Sequence, residues 1–220
     1  MRDLAALVQP LSSPAVHLVG VNAPSKSYFG GTPRLPDGVP WPQRHGRSLG
    51  FLARLSLAEL HRAQRFDWLP SAGALLFFYD LEEQPWGFDP LDRGGCAVLH
   101  VSDLAQPVAP GGEDDNQSFA RLNLAARGVR VLPSGERDEV RALGLSEEEG
   151  EAYWQACDEL FHGLPKHQVG GLPTPVQGDS MELECQLVTN GLYCGNSSGY
   201  DSPRTHTRRG RQGLALTPAA

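Results

Sequence analysis

Lysine is nearly missing from this 220-residue chain: Lys26 and Lys166 are the only two, against seventeen arginines. The arginines lie dispersed among carboxylates except in the last stretch, and the net charge is −7. Residues 204–220 hold four arginines and no acid, so residues 1–203 carry −11. A protein that grips phosphate backbones needs a concentrated basic face, so nucleic acid is not an expected partner. No apolar run approaches the eighteen residues that a membrane helix needs, and Met1-Arg2-Asp3-Leu4 opens no signal-peptide core. The reading is a soluble, cytoplasmic chain with no membrane partner. Of the four cysteines, Cys96, Cys157, Cys185 and Cys194, none forms a Cys-x-x-Cys pair or has a histidine at finger spacing. A structural zinc site therefore has little support, reduced thiols are the default, and no cofactor is expected.

What the chain has in excess is glycine and proline, 25 and 18 residues. That is about a fifth of the sequence against a usual ~12%, so backbone is spent on turns rather than on long helices. An apolar content of 40% still supports a core. The patterning predicts a short helix over residues 2–9 and strands at Ala15–Val21, Gly50–Leu55, Cys96–Val101, Phe119–Leu124 and Val129–Leu132. Ala74–Tyr79, the most apolar run, is predicted as a central strand buried on both faces. Ser56-Leu57-Ala58-Glu59 predicts a capping box opening a helix to about Phe66, and Ser146 with Glu149 a second opening a helix to about Gly163. A short helix is expected within Gly135–Gly144. Met181–Thr189 suits either a strand turning at Asn190-Gly191 or a helix capped by Asp179, and agreement of start and stop signals favours the helix.

Both lysines open the same pattern. Lys26-Ser27-Tyr28-Phe29-Gly30-Gly31-Thr32-Pro33 is echoed by Lys166-His167-Gln168-Val169-Gly170-Gly171-Leu172-Pro173: lysine, three residues, two glycines, any residue, proline. Such an echo suggests an internal duplication. After the first copy, prolines 33, 36, 40 and 42 forbid helix, Asp37-Gly38 suits a turn, and Trp41 is expected to anchor the loop on the core.

These stretches together resemble the YwqG-like family, a bacterial group described as a domain of unknown function. The residues that carry it are Ser25-Lys26 with Phe29-Gly30-Gly31-Thr32-Pro33, Leu35-Pro36-Asp37-Gly38 with Trp41-Pro42, Phe51-Leu52-Ala53-Arg54-Leu55, Gly73 to Asp80, and His167 to Gln186. The resemblance covers about residues 20–203. It implies an α+β fold, β-rich and roll-like, in two pseudo-repeated halves, and no established reaction. Similar members continue past the equivalent of Tyr200 into further strands with a Trp-Gly-Asp stretch, which is not found here. The expectation is a single partial domain over 1–203 with the second half incomplete, a non-homologous tail over 204–220 expected to be disordered, and self-association through uncovered sheet edges.

No reaction motif survives in context. Gly195-Asn196-Ser197-Ser198-Gly199 matches a nucleophile elbow, but Pro203 blocks the helix that must follow, and only Asp201 and His206 come after it. His167, Asp179, Glu182 and Glu184 are suitable metal or acid-base residues for a hydrolase or metal-dependent enzyme, yet their spacing fits no known signature, and Asp179 and Glu182 already serve as caps. The two lysine loops are the better candidates. A lysine beside a double glycine suits a carboxylate or phosphate, while the plainer reading is a pair of tight turns. The candidate ligand-binding residues are Lys26, Gly30, Gly31, Lys166, His167, Gly170, Gly171 and Gln177, in a non-enzymatic module for a protein partner or a small anionic ligand. Trp41, Trp68, Trp86 and Phe88 are expected in the core rather than in a docking patch.

Overall fold

A computed structural model describes residues 3–85, 90–102, 119–160 and 167–172, together with the backbone of 216–218. Seven antiparallel strands form one sheet that curls into a half-barrel, so the fold is α+β and β-rich. They are β1 (Ser13–Val21), β2 (Tyr28–Phe29), β5 (Gly50–Ser56), β6 (Ala74–Tyr79), β7 (Cys96–Val101), β8 (Leu122–Val131) and β9 (Gln168–Gly170). Their order across the sheet is β7-β6-β5-β2-β8-β1-β9, and a short strand β10 (Leu216–Pro218) runs parallel beside β7. A separate hairpin, β3 (Gln43–Arg44) and β4 (Arg47–Ser48), turns at His45-Gly46 with both residues at positive φ. It delivers Arg44 to a buried ion pair with Asp80, 3.1 Å.

The alternating side chains of these strands feed two cores, one on each face. On one face helix α2 (Leu57–Ala63) lays Leu57 and Leu60 against Val16, Leu18, Leu55, Leu75, Val98 and Leu124. On the other, Tyr28, Phe51, Leu76, Phe78 and Val101 are roofed by the proline-rich segment. Trp41 fixes that roof as expected, its ring edge-on to Phe78 at 5.1 Å and its Nε1–H donated to the Leu49 carbonyl at 2.8 Å. Leu75 and Leu76 go to opposite cores, so β6 is the two-faced central strand that its composition implies. Trp68, by contrast, is 58% exposed. Helices α1 (Leu4–Val8), α3 (Asp138–Arg141) and α4 (Glu147–Glu159) gather around Val8, Val140 and Tyr153, and the Ser146/Glu149 capping box forms.

Two expectations are corrected. In place of the predicted strands Phe119–Leu124 and Val129–Leu132 there is one ten-residue strand, β8 (Leu122–Val131), paired with β1 from Asn123 to Val131. Gly128, between the two expected strands, lies within β8 opposite Val16, where a Cβ would collide with the Ala63 carbonyl at the end of α2. The glycine is there to let the helix approach, not to turn the chain. The predicted Ser56/Glu59 capping box does not form: Ser56 makes no side-chain cap bond, and Glu59 points to a different partner. The region of the expected 181–189 helix lies outside the described residues.

Candidate functional site

Glu59 is turned toward the first lysine loop. Its Oε2 accepts from the Ser27 hydroxyl at 2.7 Å, and its Oε1 accepts from the Lys26 backbone N–H at 3.1 Å. The Ser25 hydroxyl lies 3.1 Å from Oε2 and 2.7 Å from the Leu124 carbonyl, with one proton to share between them. Ser25 Oγ in turn accepts from the Ser27 amide at 3.0 Å. Ser27, fully buried, also accepts from the Ser56 amide at 2.9 Å, while its own carbonyl accepts from Leu124 N–H at 2.9 Å. Burial acts to raise the Glu59 pKa, but hydrogen bonds from Ser27, the Lys26 amide and Ser25 outweigh it and hold the carboxyl below its ordinary range. One half-buried carboxylate thus ties the loop to α2, and the Lys26 residue is left exposed.

Two arginines close on the same loop from the neighbouring strands. Arg54 of β5 donates to the Lys26 carbonyl, and Arg121, just before β8, donates through Nη2 to the Ser25 carbonyl at 3.1 Å. Arg54, Tyr28 and Asn123 form a cross-strand row, because Tyr28 pairs with Arg54 on one side and Asn123 on the other. The Arg121 guanidinium carbon sits 3.8 Å from the centre of the Tyr28 ring, and its Nε donates to Asn123 Oδ1 at 3.0 Å. Burial pushes the Tyr28 phenol up, and the charges of Arg54 and Arg121 pull against that shift. Arg54 and Arg121 therefore both bond the backbone of the loop that carries Lys26, in a protein whose net charge is −7.

The double glycines have fixed duties. Gly30 and Gly31 both stand at positive φ, 59° and 67°, and Gly170 and Gly171 do the same at 73° and 71°. Side chains are also kept out by contact: a Cβ on Gly30 would lie 2.5 Å from the Ala120 carbonyl, and one on Gly170 would lie 2.6 Å from the Phe66 ring. The Gly30 amide is donated to the Leu52 carbonyl and the Gly31 amide to that of Phe119. In the second loop the Gln168 side-chain amide bridges the carbonyls of Gly170 and Leu172, at 3.2 and 3.0 Å.

The two motifs touch. The Phe29 ring meets the His167 ring edge-on at 4.9 Å, and the His167 carbonyl accepts from Leu18 N–H at 2.8 Å. Burial, with a smaller push from His17, lowers the His167 pKa to about 4, so the ring is neutral at physiological pH. Lys166, Gln177, Asp179, Glu182 and Glu184 lie outside the described residues, as do Trp86 and Phe88. Among the described residues no group of three histidines, cysteines or carboxylates could hold a metal ion, and no helix is long and apolar enough to cross a membrane.

Glu59, Arg54, Arg121 and Gln168 are absent from the sequence-based candidates. Glu59 had a ready local explanation as a cap, and nothing in the sequence links it to serines more than thirty residues earlier. Arg54 and Arg121 look like ordinary outward positions of strands. A family model described as a domain of unknown function (DUF1963) matches residues 27–209. No curated protein matches the sequence.

Proposed function

We propose that this chain, which belongs to the DUF1963 family of domains of unknown function, is a binding module for a small anionic ligand taken up at the Lys26 loop. The observation that carries this reading is that Arg54 and Arg121 both donate to backbone carbonyls of the loop that carries the exposed Lys26, a loop whose backbone is already tied down by Glu59. A preformed loop pays little ordering entropy when a ligand arrives, and cations drawn from three segments give it directionality. In this reading the glycines shape the loops, and Lys26 with its two arginines supplies the contacts. His167 acts by packing on Phe29, which joins the second loop to the first. The matching left-handed glycine pairs fit a kinship between the two lysine motifs.

Calorimetric titration of the full chain with small anions, including inorganic phosphate and acetate, tests the reading. Saturable binding that Lys26→Ala weakens several-fold, with the melting temperature unchanged, is the expected result. No binding by any anion, or binding indifferent to Lys26→Ala and to Arg54→Ala alike, overturns it.

A further inference from the structure

Arg121 is an exposed arginine held as firmly as a buried one. Its Nε is committed to Asn123 Oδ1 and one N–H of Nη2 to the Ser25 carbonyl, which occupies the side edge of the guanidinium. One face of the plane lies on the Tyr28 ring. The end edge, formed by Nη1 with the second N–H of Nη2, has no hydrogen-bond partner among the described residues. Fixing a long surface side chain costs rotamer entropy, and an arginine with no task beyond solvation has no need of three anchors. What the anchors produce is a planar, pre-aimed fork with two parallel donors, the arrangement that matches two oxygens of an oxyanion.

We infer that the end edge of Arg121 is the bidentate grip of the Lys26-loop site, and that the ligand it takes is a phosphate monoester rather than a carboxylate. The inference rests on the anion-binding reading above and narrows it. A single arginine fork satisfies a carboxylate, which is planar and carries one charge. Here the fork shares its loop with a second guanidinium, that of Arg54, which donates to the Lys26 carbonyl from β5 while Arg121 donates to the Ser25 carbonyl from just before β8. Two guanidinium charges at one loop suit a tetrahedral group carrying close to two charges, with one pair of its oxygens on the fork.

The test titrates the full chain with inorganic phosphate and separately with acetate, at pH 8 and constant ionic strength. Affinity is followed by calorimetry, and the Arg121 Nε–H resonance by nuclear magnetic resonance. Phosphate is expected to move that resonance and to bind at least about tenfold more tightly than acetate. Arg121→Lys, which keeps the charge and removes the fork, is expected to weaken phosphate by about tenfold and leave acetate nearly unchanged. Acetate binding as tightly as phosphate sinks the ligand assignment and leaves the anion-binding reading standing. Phosphate binding that ignores Arg121→Lys sinks the grip. Binding of neither anion removes the broader reading as well. Should the lysine variant fail to fold, the Nε–H resonance of the unaltered chain decides, since an unmoved signal under saturating phosphate rules the fork out.

Discussion

A carboxylate that accepts from serine hydroxyls and a backbone amide has exchanged mobile water for fixed donors, and the value of Glu59 lies in that exchange. Glutamine at this position keeps one acceptor but turns an N–H2 toward groups that themselves donate. Glu59→Gln is therefore expected to cost about 1–2 kcal/mol in urea unfolding, the lower part of the range for charge-assisted bonds because the carboxylate is only half-buried. The same variant should speed hydrogen exchange at the Lys26 and Ser27 amides, while exchange in α4 stays as it was. Since the folded-state pKa of Glu59 lies below its ordinary value, its contribution is present above about pH 4.5 and fades as pH falls through the lower folded value. This residue was legible in the sequence only as half of a capping box. Its real partners are fixed by tertiary packing of α2 on the sheet, information that no window of neighbouring residues contains.

At the scale of elements, α2 owes its place to a close approach at its end. Leu57 and Leu60 are fully buried, and Gly128 gives the last turn room on β8. Gly128→Val should push the helix off the sheet and cost about 1–3 kcal/mol as overpacking, read as a lower denaturant midpoint. It should also lower anion affinity, because α2 carries Glu59. The elements whose residues declare themselves locally were readable in advance: β1, β5 and β6 from apolar pattern, α4 from its capping box. The two-residue β2 and three-residue β9 were not, since strands so short exist through their pairing with neighbours rather than through their own propensity. The joining of two expected strands into β8 has the same cause, a glycine whose role is set by a helix elsewhere in the chain.

For the whole molecule, the curled sheet brings the two lysine motifs into contact although their first residues are separated by most of the chain. The joint is the Phe29–His167 ring pair, and it makes the assembly sensitive to acid. In the unfolded chain a histidine titrates near 6.5, and in the fold His167 titrates at about 4. The unfolded state therefore binds the proton first, and stability should be full above about pH 6.5 and fall between pH 6.5 and 4. Unfolding measured across that interval should show the slope, and His167→Leu should flatten it; an unchanged slope would assign the acid loss to other groups. The β-rich class was readable from composition and pattern, and the repeated motif pointed to the region where the candidate site lies. The partners within that site were hidden because they come from β5, α2 and the start of β8, three segments joined only by the sheet order.

The most direct measurement is a backbone-amide map of the full chain titrated with inorganic phosphate at constant ionic strength. The predicted result is a compact set of saturable shifts at residues 25–28, Arg54 and 121–123, with α4 and the Arg44 hairpin unmoved. Shifts scattered over the surface, or gathered on a face that does not include Lys26, would contradict the claim that the Lys26 loop is a built anion site.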